Sequence, residues 1–469
     1  MSDFKLLING RLVPGDSTMP VLNPATDQPV AECPRGSEAQ INAAVAAAKA
    51  AFPAWSRTTV EERRAALLKL AAALEARSDE FAELLTQEQG KPLAEAKGEI
   101  TFTLMFIRAF AEMDLKPQVI EETANARIEA HRRPLGVVAC IIPWNFPVLL
   151  AAGKFSPALL AGNTLVIKPA ATTPLTTLKL GELFQQFFPA GVVNIVTDAN
   201  DLGNVLTKHP DVRKVSFTGS TATGKKVMAS AADTIKRVTL ELGGNDAAIV
   251  LGDVDPAKTA PALFGAAFWN CGQVCLAVKR LYVHESIYDQ MCEELAKLAD
   301  ASIVGNGMEE GVQIGPLQNR AQFEKVKALL AETKAKGGVI AGGQVPDGAG
   351  YFIRPTIVRD VKEGDRIVDE EQFGPILPVI KYSDPEDALN RANASYYGLG
   401  GSVWGRDDTQ TASLAARMEA GTVWINKHLE IAPNVPFGGA KQSGLGVEFA
   451  KQGLEEFTQL QVINASRAA

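Results

Sequence analysis

Two cysteines lie close together in a segment whose residue types suit covalent chemistry. Cys271 and Cys275 are separated by Gly-Gln-Val, about one helical turn. The thiolate is the attacking form of cysteine, and a nearby helix N-terminus lowers the pKa of the thiol. We predict that Cys275 lies at such a loop-to-helix junction. The residues alone leave Cys271 open as the nucleophile, and a single cysteine is most often a small buried hydrophobic residue.

Two other segments carry groups that act on carbonyl compounds. Glu241 lies at the end of an apolar run, just before two glycines, where partial burial would raise the pKa of the carboxyl group and suit a general base. Asn145 lies in IIPWNFP (141–147), whose prolines fix the backbone so that the amide can donate to an oxyanion. Taken singly, a glutamate is more often solvated or helix-capping, and the proline segment is as often a turn packed on an aromatic ring.

A third group of residues suits a phosphate-bearing ligand. FTGSTATGK (217–225) places two glycines at a predicted strand-to-helix turn, whose N–H groups can hold a pyrophosphate. Lys168 ends the predicted strand TLVIK and can reach a ribose or a phosphate, although a solvated lysine is more common at a strand end. The Gly-x-Gly-x-x-Gly pattern of many dinucleotide sites does not occur in this sequence.

The histidines do not have the spacing of a metal site. They are far apart in the sequence, at positions 131, 209, 284 and 428. Because metal-binding histidines and cysteines usually occur in closely spaced pairs, we expect no metal. A cysteine–histidine hydrolase also finds no local support.

Strands and helices alternate in the part of the chain that carries these residues. Between 137 and 251, β-branched runs separated by helical stretches predict a parallel sheet with right-handed crossovers. Ligands bind beyond the carboxyl ends of such strands. A second alternating region follows from about 255 to 440. The predicted strands are 137–142, 164–168, 192–196, 213–217 and 247–251 in the first region, and 280–284, 375–382, 400–405 and 421–426 in the second.

The remaining segments predict packing elements and an oligomerisation surface. The first ninety residues are predicted to form a hairpin followed by helices, with capping boxes at Ser37 with Gln40 and at Thr59 with Glu62. The segments 126–136 and 459–466 have the pattern of strands outside both sheets. Exposed strands usually pair with another chain, so we predict that these segments join subunits.

Composition limits the class of protein. A net charge of −7 argues against a basic nucleic-acid surface, and no apolar run reaches the roughly 18 residues that cross a membrane. The N-terminus lacks the pattern of a secretory signal, and an odd number of cysteines, five, is typical of a reducing compartment. We expect a cytoplasmic protein without nucleic-acid or membrane partners.

Taken together, these motifs resemble those of the aldehyde dehydrogenase superfamily from end to end. Each motif is weak alone, but seven of them in the family's order make a specific match. They are IIPWNFP, VIKPA, FTGSTATGK, LELGG, GQVC, EEQFGP (370–375) and PFGGAKQSGLG (436–446).

The resemblance implies a role for each catalytic candidate. Cys275, in GQVC, matches the nucleophile, which decides against Cys271. Glu241 matches the general base that activates water, and Asn145 matches the oxyanion donor, assisted by the backbone N–H of Cys275. Lys154, in AAGKFSP, matches a lysine linked to proton handling. The implied reaction oxidises an aldehyde to a carboxylic acid through a cysteine thiohemiacetal and thioester.

The resemblance also implies NAD or NADP as the cofactor. Ala171 stands where members that prefer NAD often have a glutamate, whose carboxylate would repel a 2′-phosphate, so we predict that both cofactors are accepted. The implied cofactor contacts are Trp144, Lys168, Ala171, Gly219, Ser220, Gly224, Leu242, Gly243, Glu371 and Phe373.

Two further departures from the family pattern concern the substrate side and the last motif. Gly153 stands where some relatives have a large aromatic residue, which predicts a roomier pocket lined by Phe146 and Leu149 and a neutral, bulky or aromatic aldehyde. Val447 follows the last motif where arginine is common, and no physical reason for it emerges.

The implied fold is α/β: a Rossmann-like parallel-sheet coenzyme domain, a second α/β catalytic domain and a small β oligomerisation element. The predicted coenzyme domain covers 1–115 and 135–243, and the catalytic domain 244–443. The oligomerisation strands lie in 116–134 and 455–469 of a homodimer or homotetramer.

Two alternatives remain open at this point. A semialdehyde dehydrogenase would need a cationic anchor for the substrate carboxylate near 427–435, where only Lys427 and His428 are available. A non-catalytic relative would keep the fold alone, and the presence of Cys275, Glu241 and Asn145 together argues against it.

Overall fold

The computed structural model describes residues 4–467, so the first three residues of the predicted range 1–115 and the last two of 455–469 lie outside it. The strands are β1 Leu6–Ile8, β2 Arg11–Val13, β3 Ser17–Asn23, β4 Gln28–Arg35, β5 Gln118–Glu122, β6 Ala126–Pro134, β7 Val137–Ile141, β8 Thr164–Lys168, β9 Val193–Ile195, β10 Val212–Thr218, β11 Arg237–Glu241, β12 Asp246–Val250, β13 Val278–His284, β14 Val339–Ala341, β15 Thr356–Val358, β16 Ile376–Tyr382, β17 Gly400–Trp404, β18 Thr422–Ile425, β19 Gly444–Leu445 and β20 Thr458–Ser466. The helices are α1 Glu38–Trp55, α2 Val60–Glu75, α3 Ser78–Gln89, α4 Leu93–Glu112, α5 Pro147–Leu160, α6 Leu175–Phe187, α7 Gly203–Lys208, α8 Thr221–Ala232, α9 Pro256–Phe268, α10 Tyr288–Ala301, α11 Arg320–Lys336, α12 Arg366–Asp369, α13 Pro385–Asn393, α14 Asp408–Ala415 and α15 Ala450–Glu455.

The first large sheet has the order β19-β11-β10-β7-β8-β9-β1-β2. Its five central strands are parallel, as the alternating pattern predicts, and antiparallel strands close both edges. The second sheet has the order β14-β15-β16-β13-β12-β17-β18 and is parallel except at β14. The predicted α/β fold is therefore confirmed.

One strand is assigned differently from the sequence pattern. The run 247–251 belongs to the same alternating stretch as the four runs before it, but β12 pairs with β13 and β17 in the second sheet. β19 follows the strands of the second sheet in the sequence but pairs with β11 in the first sheet, where Gly444 lies opposite Glu241. The chain therefore crosses between the sheets directly after Glu241. The predicted domain boundaries at 243 and 443 lie at these two crossings and stay a prediction.

Local signals explain the helices that precede the first sheet. Ser37 and Gln40 form both hydrogen bonds of a capping box at the start of α1, and Thr59 and Glu62 do so at α2. Each box satisfies N–H groups that have no partner inside the helix. α1 packs on β8 and β9 of the first sheet, whereas α2 packs on α4, α5 and α6 and buries part of an apolar cluster that reaches Cys275.

The segments 118–122, 126–134 and 458–466 form a separate three-stranded antiparallel sheet in the order β20-β6-β5. The register pairs Thr458 with Pro134 and Ser466 with Ala126. Strands were predicted in both places, although their joining into one sheet was not. In residues 4–467 no helix is long and apolar enough to cross a membrane.

Candidate active site

The nucleophile candidates differ in accessibility. Of the five cysteines, Cys275 is the one that is partly exposed, whereas Cys271 is buried with a left-handed backbone at φ 57°. Burial raises the pKa of both thiols, that of Cys275 to about 12, although this side chain still has some solvent contact. The geometry favours Cys275 as the attacking group.

The predicted helix junction at Cys275 is wrong. A 3-10 turn, Trp269–Gly272, ends before Cys275, and the chain continues into the strand β13. No helix begins at Cys275, so the thiol lacks the helix N-terminus that the sequence predicts as a source of positive charge. A cationic side chain nearby would have the same effect on the thiolate.

Asn145 is held beside the nucleophile segment. Its side-chain amide nitrogen donates to the backbone carbonyl of Gln273 at 3.0 Å. Its backbone carbonyl accepts from the side-chain amide of Asn270 at 3.1 Å and from the ammonium group of Lys91 at 2.9 Å. The side chain is 4% exposed. An amide has two N–H groups, so one remains for an oxyanion.

A buried ion pair anchors the loop that carries Asn145. Lys91 and Glu99 are fully buried and 2.6 Å apart. The other oxygen of Glu99 accepts from the backbone N–H groups of Val148 and Leu149, in the first turn of α5. A carboxylate at a helix N-terminus satisfies free N–H groups and the helix dipole. The sequence pattern gave no sign of this pair, because its partners meet only in the folded chain.

Glu241 ends β11 and is 3% exposed. Neither carboxylate oxygen accepts a hydrogen bond from a described residue. Burial raises its pKa well above the ordinary value, and the negative charge of Glu448 raises it further, whereas the positive charge of Lys154 lowers it. The predicted direction of this pKa shift is thus confirmed. A carboxyl group with a raised pKa is a stronger base once it has lost its proton.

Lys154 is fully buried inside α5 and forms an ion pair with Glu448. Its nitrogen also donates to the hydroxyl of Ser216 at 3.3 Å. The sequence did not point to Glu448, because Lys154 and Glu448 are almost three hundred residues apart in the chain. The pair lies close enough to Glu241 for both charges to affect its pKa.

Several predicted cofactor residues lie at or directly after the carboxyl ends of β8, β10 and β11 in the first sheet. Ser220 caps α8, the helix that follows β10, and accepts the N–H of Thr223. Gly224 contacts Leu242 so closely that a Cβ would overlap its side chain. A Cβ on Gly219 would lie 2.5 Å from the ring of Phe217. The turn therefore needs small residues and presents a helix N-terminus, which suits a pyrophosphate.

The other end of the predicted cofactor site contains Glu371 and Phe373. Glu371 accepts the N–H of Gly244 at 3.0 Å, and a Cβ on Gly243 would lie 2.5 Å from its other oxygen. Phe373 contacts the ring of Trp144 edge-on, at 5.2 Å between centroids. Glu371 is a buried carboxylate with one N–H partner, so it can accept a further hydroxyl hydrogen bond. These residues fit a dinucleotide that runs from α8 to Glu371.

Lys168 has a partner that sequence reasoning missed. Its nitrogen lies 2.6 Å from a carboxylate oxygen of Asp198, and both side chains are almost fully buried. Asp198 follows β9, the neighbour of β8, and accepts the N–H of Leu202 at 2.9 Å. Ala171, three residues after Lys168, carries no charge. An acidic group therefore stands at this corner even without a glutamate at 171.

Gly153 leaves no free space beside it in the structure, and the roomier pocket stays a prediction. The ring of Phe449 fills this space, and a Cβ on Gly153 would lie 2.9 Å from it. Phe449 also contacts Phe106 and Phe437, at 4.6 and 5.8 Å between ring centroids. Phe146 lies 5.0 Å from Trp269 by the same measure. The side chains packed around Gly153 are therefore aromatic.

Comparisons with known proteins agree with this geometry. Residues 12–463 match the model of the aldehyde dehydrogenase family. The chain is 40% identical to the phenylacetaldehyde dehydrogenase of Pseudomonas fluorescens over 97% of its length and 94% of the relative. It is 39% identical to the succinate-semialdehyde dehydrogenase [NADP(+)] of Escherichia coli K12, over 97% and 96%. A betaine aldehyde dehydrogenase from Staphylococcus aureus, solved in complex with NAD+, superposes with a TM-score of 0.96 at 32% identity, over 100% of this chain and 96% of that one.

Proposed function

The chain belongs to the aldehyde dehydrogenase family, and from that premise we propose that it oxidises a neutral, hydrophobic aldehyde, such as a bulky or aromatic one, through Cys275. It is an oxidoreductase that acts on aldehydes with NAD or NADP. The presence of Cys275, Glu241 and Asn145 together argues against the non-catalytic alternative. The substrate class is carried by one observation, the apolar surroundings of Cys275.

Cys275 packs against a large buried apolar cluster. This cluster extends over the helices around the first sheet, and its members include Phe146, Leu149, Val274 and Phe437. Burying apolar substrate surface there contributes about 25 cal/mol per Å². A relative named phenylacetaldehyde dehydrogenase at 40% identity supports the same class.

In the segment 427–435, the two side chains that could bind a substrate carboxylate are Lys427 and His428, and neither offers a free positive charge. Lys427 forms an ion pair with Glu430. His428 is buried, and burial lowers its pKa to about 3, so the ring is neutral at physiological pH. Its ring nitrogens are also engaged by Ser402 and the carbonyl of Leu276. A semialdehyde with a carboxylate therefore lacks an anchor in this segment.

In the mechanism we propose, the thiolate of Cys275 forms a bond to the aldehyde carbon. The resulting oxyanion accepts hydrogen bonds from the amide of Asn145 and the backbone N–H of Cys275. The turn at Ser220 and the carboxylate of Glu371 would hold NAD or NADP, which would supply the hydride acceptor when bound. Oxidation at that carbon leaves a thioester on Cys275.

Glu241 then takes a proton from water, which attacks the thioester, breaks the carbon–sulfur bond and releases the acid. The buried carboxyl group favours this hydrolysis over transfer to coenzyme A. The ion pair of Lys154 with Glu448 sets the charge beside Glu241 and takes part in proton handling. We also propose a cytoplasmic homodimer or homotetramer, which is supported by five unpaired cysteines and by the exposed three-stranded sheet.

A matched panel of aldehydes tests the proposal. Butanal and succinate semialdehyde have the same chain length and differ in the carboxylate, and phenylacetaldehyde adds a ring. We expect kcat/KM for the two neutral substrates to exceed that for succinate semialdehyde by at least about tenfold, or about 1.4 kcal/mol. A preference for succinate semialdehyde would overturn the substrate class.

Two cysteine variants test the nucleophile. Cys275→Ser is expected to abolish NADH formation with every aldehyde, because serine has no comparable thiolate. Cys271→Ser, four residues away, is the matched control and should keep the activity. Turnover by Cys275→Ser would defeat the covalent mechanism.

A further inference from the structure

Lys279 lies in the centre of the candidate site, although neither its spacing nor the family motifs point to it. It is the second residue of β13 and is 3% exposed. Its ammonium nitrogen donates to the carbonyl of Val274 at 2.8 Å and to that of Cys275 at 2.6 Å. Because a buried ammonium group is costly without such partners, these contacts determine where it lies.

The two carbonyls belong to the turn that carries the nucleophile. The N–H of Ala277 donates to the carbonyl of Val274 at 3.1 Å and closes this turn. A Cβ on Gly244 would lie 2.5 Å from the carbonyl oxygen of Cys275, so Gly244 also packs closely on this turn. The turn is therefore in close contact with both Gly244 and the ammonium group of Lys279.

The charges around the thiol make Lys279 distinctive. Among the described residues, three carboxylates raise the pKa of the Cys275 thiol: Glu241 on β11, Asp246 on β12 and Glu371 before β16. The charge that lowers this pKa is the ammonium group of Lys279. Its nitrogen is also 3.9 Å from an oxygen of Glu371. Three carboxylates oppose a thiolate, and one ammonium group offsets them.

We propose that Lys279 is a positioning residue for the nucleophile, which holds the Val274–Cys275 turn through two hydrogen bonds and stabilises the thiolate with its charge. It takes the place of the helix N-terminus that the sequence predicted as the source of positive charge. This inference rests on the proposed role of Cys275.

The test measures the alkylation of Cys275 by iodoacetamide in enzyme without substrate or cofactor, with the modified peptide quantified by mass spectrometry. At a fixed pH of about 9, we expect Lys279→Met and Lys279→Gln to react at least about tenfold more slowly than the wild type, which equals one pKa unit. Lys279→Arg keeps the charge and should stay within about threefold of the wild type. The glutamine can still donate to a carbonyl, so it separates charge from hydrogen bonding.

The control is Lys297→Met, which removes an exposed lysine paired with Glu294 on α10 and should react at the wild-type rate. Wild-type alkylation in Lys279→Gln would overturn the charge role, and so would an arginine variant as slow as the glutamine one. If Lys279→Met fails to fold, the glutamine and arginine variants still decide. Turnover of aldehyde by Cys275→Ser would instead defeat the proposed function, whatever the rates of the Lys279 variants.

Discussion

The side-chain amide of Asn145 donates to the carbonyl of Gln273 at 3.0 Å, two residues before Cys275. This bond joins two segments that are 128 residues apart in the sequence. It orients the amide relative to the nucleophile before any substrate arrives. Preorganised donors of this kind stabilise an oxyanion without reorganisation during the reaction.

Replacing the amide should therefore affect the chemical step more than binding. We expect Asn145→Ala to lower kcat about 100- to 1000-fold, the usual loss for one oxyanion donor. KM for the aldehyde should change much less. Steady-state NADH formation measures both constants, and Asn390→Ala, an exposed asparagine on α13, is the control. A variant with normal kcat and a raised KM would show that Asn145 only binds the substrate.

The buried carboxyl group of Glu241 and the thiol of Cys275 predict a rise of activity with pH. Burial raises the pKa of both groups, that of Cys275 to about 12, so their reactive deprotonated forms increase as the pH rises towards these values. Well below its pKa, the thiolate fraction grows about tenfold per pH unit. We expect kcat/KM to increase between about pH 7 and about pH 9. An activity that falls over this range would contradict the assignment.

Glu241→Gln separates the two halves of the reaction. Without the base, water no longer attacks the thioester efficiently, so a burst of about one NADH per active site should precede a slow steady state. Intact-protein mass spectrometry should detect the acyl group on Cys275. Normal steady-state turnover of this variant would show that another group activates the water.

Sequence reasoning succeeded where the information is local. The capping box of Ser37 with Gln40 needs four neighbouring residues and is present in the structure, and the motif around Cys275 predicts the nucleophile without any coordinates. It is limited where distant residues share space: the room beside Gly153 depends on Phe449, almost three hundred residues away. The charge near Cys275 was assigned to a helix that does not form, and Lys279 supplies it instead. Lys168 was identified, but its partner Asp198 becomes visible only when β8 and β9 pair.

That partner leads to a prediction on cofactor choice. Asp198 forms an ion pair with Lys168 and places a buried negative charge at this corner, which would oppose a 2′-phosphate. An acidic group at the adenosine ribose favours NAD over NADP. We expect the wild type to use both cofactors with a preference for NAD, and Asp198→Asn to improve the relative affinity for NADP by about tenfold.

Titration of each cofactor against the enzyme without aldehyde gives the dissociation constants. Asp201→Asn, an exposed aspartate paired with Arg35, is the control and should leave their ratio unchanged. An unchanged ratio in Asp198→Asn would remove this residue from the selectivity. A wild-type kcat/KM ratio above about 1000 for NAD over NADP would contradict the prediction that both are used.

The three-stranded sheet predicts how subunits join. Its outer strands, β5 and β20, expose apolar side chains, namely Val119, Ile120, Leu460, Val462 and Ile463. Edge strands with unpaired backbone groups and apolar side chains readily pair with another chain.

We expect light scattering to give the mass of a dimer or tetramer for the wild type. Val462→Lys should lower that mass, because a lysine there would bury an unpaired charge at the interface. The control Ile303→Lys introduces a lysine at a similarly exposed apolar residue, outside the three sheets described above, and should keep the wild-type mass. A monomeric wild type, or a Val462→Lys variant with unchanged mass, would assign these strands to some other role.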